Sequence, residues 1–157
     1  MTARMELVAG DAREILVVLG TDTRDAFADQ DRFHAYLSLG GGVDPTWLDL
    51  FAEAVRGATD LAGPTDFLDA RIELGAAEPV ADVTVERVDP HWTDTVAQIP
   101  ISSVDAIAGR WIDRLEEEFG PVPGEEKPWI RELVGQLIAF CRAADRAPDV
   151  IFAWSLH

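Results

Sequence analysis

One lysine, one cysteine, three histidines and four serines are all that this chain of 157 residues holds of the side chains most often recruited for nucleophilic, metal or phosphate chemistry. Each shortage excludes something. A zinc site needs Cys and His at spacings that bring them together. His34, His91 and His157 lie far apart, with no Cys-x-x-Cys or His-x-x-x-His in the chain, so no metal is expected. The one combination left to distant segments is His34 with His91 and a carboxylate such as Asp94. Cys141 has no second cysteine to pair with. It falls on an apolar stripe and reads as a small core residue, because a reactive thiol needs an electropositive and accessible setting. No serine sits in Gly-x-Ser-x-Gly. Ser102 and Ser103 instead stand just before a helical pattern, where a hydroxyl can take up an unpaired amide.

Phosphate-binding patterns are missing too. There is no Gly-Lys-Ser/Thr and no Gly-x-Gly-x-x-Gly, and no cofactor is expected. No run of about 18 apolar residues spans a membrane and no charged-then-apolar leader stands at the start, so a cytoplasmic protein is expected.

Basic residues are scarce overall: 13 against 29 acidic, a formal net charge of −16. Nucleic acid is not an expected partner, since a phosphate backbone must be met by clustered Lys and Arg, and here the arginines are scattered among carboxylates. An anionic membrane surface is disfavoured for the same reason. The charge has two readings: solubility or adaptation to salt, and steered encounter with a basic protein. Acidic neighbours such as Glu116 to Glu118 and Glu125-Glu126 read as solvated surface, because a catalytic pair needs a cleft and shifted pKa values.

The chain is rich in amphipathic pattern, and residues 1–157 are expected to form one globular domain with enough length for a core. Val104, Ile107, Ala108, Trp111, Ile112, Leu115 and Phe119 recur at three- and four-residue steps and predict a helix that stops at Gly120-Pro121. The three prolines between Pro121 and Pro128 predict a stiff connector. Trp129, Ile130, Leu133, Val134, Leu137, Ile138 and Cys141 then predict a second core helix. After Pro148 the alternation of Val150, Phe152 and Trp154 with Ile151, Ala153 and Ser155 predicts a strand buried on both faces over its first half. An apolar strand of that kind belongs in the centre of a sheet.

Earlier in the chain, Met5 to Val8 suggests a short strand, and Asp11 caps a helix ended by Gly20. Ala26, Phe27, Phe33, Tyr36 and Leu37 suggest a broken helix, with His34 to Leu39 open to an extended reading. Asp44-Pro45 opens a helix carrying Trp47, Leu48, Phe51, Ala52 and Val55, ended by Gly57. Thr65 is expected to cap a helix through Phe67, Leu68, Arg71 and Ile72 as far as Gly75, and Gly75 to Ala81 to be loop. Asp82 to Val88 reads as a half-buried strand, and Asp89-Pro90 repeats the helix start ahead of Trp92, Val96 and Ile99. The fold class expected is α+β, mainly helical, with a small sheet of two to four strands and the C-terminal strand central.

Asp44 to Trp47, and Phe140 to Ala144 followed by Val150 to Phe152, are similar in order to patches of the YfbM-like family of uncharacterised bacterial proteins, a resemblance that implies no mechanism. The functional expectation is a non-catalytic, acidic protein that binds or regulates another protein, in the manner of an immunity protein, with a basic partner. The alternative is a small-molecule binder or enzyme. Its pocket would lie where the glycine run from Gly40 through Gly41 and Gly42, with Asp44 and Trp47, meets His91 and Trp92, because two helix starts and two aromatic rings fall there. A third reading is a homo-oligomer whose aromatic surface is its interface.

Overall fold

The computed structural model describes residues 3–21, 24–41, 43–59, 65–73 and 83–156. Its centre is an antiparallel sheet of five strands in the order β2-β1-β5-β4-β3. The strands are β1 (Ala3–Gly10), β2 (Ala35–Gly41), β3 (Arg71–Glu73), β4 (Val83–Val88) and β5 (Asp149–Leu156). The helices are α1 (Ala12–Thr21), α2 (Thr46–Ala58), α3 (Phe67–Ala70), α4 (Pro90–Ala97), α5 (Val104–Phe119) and α6 (Lys127–Ala143). The α+β class holds and the C-terminal strand is central, but the sheet has five strands where two to four were expected.

The extra strands come from segments whose apolar spacing imitates a helix. Phe27 and Tyr36 do pack together, stacked at 5.1 Å, and Phe27 meets Phe33 edge-on at 5.1 Å. They do so across a 3-10 turn (Arg24–Ala28) and strand β2, so one contact set satisfies two local patterns. Likewise the helix expected from Phe67 to Ile72 stops after four residues, and Arg71 turns into β3. Its start is Asp66 rather than Thr65, with no side-chain cap of its own; the Leu68 amide donates instead to Asp49 of α2 at 2.7 Å. The loop expected at Gly75 to Ala81 lies outside the described residues.

Strand alternation sends β1 and β5 to two different cores. Met5, Leu7, Ala9, Val150 and Phe152 join the larger one with α2 to α6, whereas Val8, Ile151 and Ala153 pack under Ile15, Val18 and Leu19 of α1. Eight consecutive pairs, Ala3 opposite Leu156 through Gly10 opposite Asp149, bind β1 to β5. On the larger face the rings form a chain through the core: Trp47 to Trp111 at 6.1 Å, Trp111 to Phe51 at 5.2 Å, Phe51 to Trp92 at 6.3 Å, Trp92 to Phe67 at 5.0 Å and Phe67 to Phe152 at 5.1 Å. Such edge-on pairs add to simple burial. The Trp111 indole also donates to the Trp47 carbonyl at 2.9 Å, tying α5 to α2.

The two Asp-Pro starts work the same way. Asp44 accepts from the Thr46 amide at 2.7 Å, and Asp89 from the His91 amide at 2.9 Å, each satisfying a donor that the first helical turn leaves free. Asp11 does this for α1 through the Arg13 amide at 2.8 Å, and α1 runs one residue past Gly20. The expected serine cap of α5 is not made. Ile101–Ser103 forms a 3-10 turn that already leads the chain into the helix, and neither serine hydroxyl is needed as a cap. Gly57 does not end α2, which continues to Ala58. Its lack of a side chain admits the Arg110 guanidinium, since a methyl there would sit 2.9 Å from Arg110 Nη1. Phe119, expected on the buried stripe of α5, is 53% exposed because α5 has run past the core by its last turn.

Candidate functional site: an open strand edge and an acidic corner

The described residues singled out for a ligand stand in different settings. Trp92 is buried in the aromatic chain, while its neighbour His91 is exposed. Trp47 is half-buried, and its route to Trp92 runs through Trp111 and Phe51. Asp44 is occupied at the start of α2, Gly41 ends β2, and Gly42 lies outside the described residues. No group of three or more His, Cys, Asp and Glu among the described residues is placed to hold a metal ion. Cys141 is buried, and burial pushes its thiol far above the ordinary range, helped by the nearby charge of Asp94. It is a core residue.

Two regions remain that packing alone does not use up. The first is the corner between α5 and α6. Gly120 turns the chain at φ 94°, ψ 179°, a conformation open essentially to glycine, and the Val122 amide donates back to Glu116 at 3.1 Å. Flanking this stiffened turn Glu117, Glu118, Glu125 and Glu126 are exposed, and Asp113 is exposed further back on α5. Arg114 gathers Glu117, Glu118 and Glu53 of α2. Among the described residues Asp113, Glu125 and Glu126 have no ion pair. Phe119, next in sequence to Glu118, is exposed too. A second basic contact, Arg131 with Asp105, lies elsewhere on the α5–α6 seam and lowers the Asp105 carboxyl below its usual range.

The second is the outer edge of β2. This strand pairs with β1 and with no other strand among the described residues. Ser38 and Gly40 are exposed, and Ala35, Tyr36 and Leu37 are half-buried. Gly40 takes φ 80°, and a methyl there would lie 3.4 Å from the ring of Trp129, which is itself half-buried and 6.0 Å from Trp47. Trp129, expected as a packing residue on the core stripe of α6, is thus only partly covered.

Inside the sheet, on the α1 side, a buried carboxylate escaped the sequence reading. Glu6 is 1% exposed; it accepts from the Tyr36 hydroxyl at 2.6 Å and meets Arg4 at 3.5 Å. Burial first, and then the Glu6 carboxylate, raise the Tyr36 hydroxyl above its ordinary value, so it stays a donor. The available signal was a charged residue between apolar neighbours in Met5-Glu6-Leu7-Val8, since a carboxylate in a two-sided strand needs a partner. That partner is thirty residues away in sequence and cannot be read from local pattern.

No family model, curated protein or solved structure matches the chain. The similarity of short patches to the YfbM-like family therefore gains no support. Among the described residues no helix is long and apolar enough to cross a membrane.

Proposed function

We propose that this protein is a non-catalytic binding module for a basic protein, engaged through the acidic corner of α5 and α6. The observation that carries the reading is the pair of exposed carboxylates Glu125 and Glu126, without ion pairs among the described residues, on a connector that Gly120 and two prolines make stiff, next to the α5 end that carries exposed Glu117 and Glu118. A preorganised charged surface loses little freedom on binding, and its field raises the rate of encounter with an oppositely charged partner. Exposed Phe119, at the end of α5 beside Glu117 and Glu118 in sequence, supplies an apolar contact next to the charges, as an anchor does beside a polar rim.

The test is retention of a basic protein from lysate on the immobilised chain at about 0.1 M salt and its release at about 1 M, where the screening length falls from about 10 Å to about 3 Å. The same capture is run with Glu117, Glu118, Glu125 and Glu126 all changed to lysine. A single basic protein retained by the wild type and not by the folded variant supports the reading. Equal retention by both removes the corner from it.

A further inference from the structure

The two edges of the sheet are treated differently. β3 is three residues long and carries Arg71 and Glu73 in its sequence, the short and charged character that keeps an edge from pairing with other chains. β2 has seven residues, Ala35 to Gly41, with no charge and no proline. Its ladder to β1 is regular from Ala35 to Ser38 and breaks before Gly41, where Gly40 takes φ 80°, so it offers a regular strip of roughly 14 Å at about 3.4 Å per residue, and the half-buried ring of Trp129 lies beside Gly40. We infer that β2 pairs antiparallel with β2 of a second copy, joining two five-stranded sheets into one of ten strands.

The choice of a second copy follows from charge and symmetry. An antiparallel pair of identical strands is closed about a two-fold axis, so the same strip serves both partners. Copies of a chain with net charge −16 repel each other wherever their carboxylates face, and β2 is a strip on which no like charges oppose. A basic partner gains nothing from that neutrality. The inference stands apart from the proposed function because salt acts in opposite directions. Screening weakens capture of a basic protein by the acidic corner, and it strengthens self-pairing of two acidic protomers through a neutral edge.

The experiment is sedimentation equilibrium over a dilution series at about 0.1 M and about 1 M salt, together with amide hydrogen exchange of β2 in the wild-type protein at both ends of the series. The expected result is a mass that rises from one chain to two with concentration, tighter association at the higher salt, and β2 amides that slow in exchange only where the dimer forms. Ser38→Lys, which sets a lysine on each of the two paired strips, is expected to weaken association by about tenfold or more; because residue 38 lies across from Glu6 on β1, the thermal transition of the monomer is followed beside it, and the neutral Ser38→Thr is expected to leave association in place. A mass of one chain throughout overturns the inference. So does a dimer whose β2 amides exchange as in the monomer, or one that dissociates as salt rises. Protection of β2 that appears only when a basic partner is added also overturns it, and gives the edge to that partner.

Discussion

The two faces of the sheet are built on different principles. On the larger face, five helices and a chain of aromatic rings bury Met5, Leu7, Val150 and Phe152, and the contacts are almost all apolar. On the other, a single ten-residue helix and a 3-10 turn cover Val8, Ile151 and Ala153, and beside this apolar cluster lies the Glu6, Tyr36 and Arg4 group. The first face is held by area and shape. The second relies on a few directional bonds, where the loss of one partner leaves a buried charge wanting.

That contrast ranks the expected effects of substitution. Trp111→Ala removes the ring that touches both Trp47 and Phe51 and the indole bond to α2; a loss of about 3–5 kcal/mol is expected from urea unfolding. A value near 1 kcal/mol would mean that the aromatic chain relaxes to fill the gap. On the opposite face Tyr36→Phe deletes a single oxygen, yet it takes a donor from a buried carboxylate, and about 1–3 kcal/mol is expected.

The same residue sets a pH limb. Its folded pKa is raised above the ordinary 10.0, so its contribution is fully present below about pH 10 and is lost as pH climbs through the folded value. Wild-type stability should therefore fall more steeply than that of Tyr36→Phe in alkaline titrations followed by circular dichroism. Parallel curves would show that the hydroxyl does not sense the fold.

Asp49→Asn gives a smaller effect. Burial raises the Asp49 carboxyl above its usual 3.8, and an amide oxygen can still accept from Leu68. Because the folded state disfavours the charge, the variant should equal or exceed wild type at neutral pH by no more than about 0.5 kcal/mol. The gap should close as pH falls below 3.8, where both states are protonated. Smallest of all is Val17→Lys. Val17 is 62% exposed on the outer side of α1, and melting should place the variant within about 0.5 kcal/mol of wild type.

How much of this was readable beforehand follows the same division. The stripes of α5 and α6 and the two-sided alternation of β5 were plain, because long amphipathic elements repeat their signal over several turns. Central placement of β5 followed from its apolar content. β2 was left open between helix and strand because Phe27, Phe33, Tyr36 and Leu37 fit helical spacing, and β3 was hidden in three residues after a four-residue helix. Of the candidate site, the excess of carboxylates was readable as charge. Their grouping at one corner depended on the turn at Gly120, and the position of Gly40 beside Trp129 depended on how α6 crosses β2. Those are long-range facts with no local spelling.

The central place of β5 also bears on how the molecule is assembled in time. β1 and β2 can pair early across α1, and β3 and β4 can pair in the middle of the chain, but among the described residues the two halves share no strand contact except through residues 149–156. Until those residues are synthesised and free, each half presents to its surroundings the bare inner edge that β5 is meant to fill. Acidic residues are spread along the whole chain, so partly made chains already repel one another, which protects those edges from their neighbours.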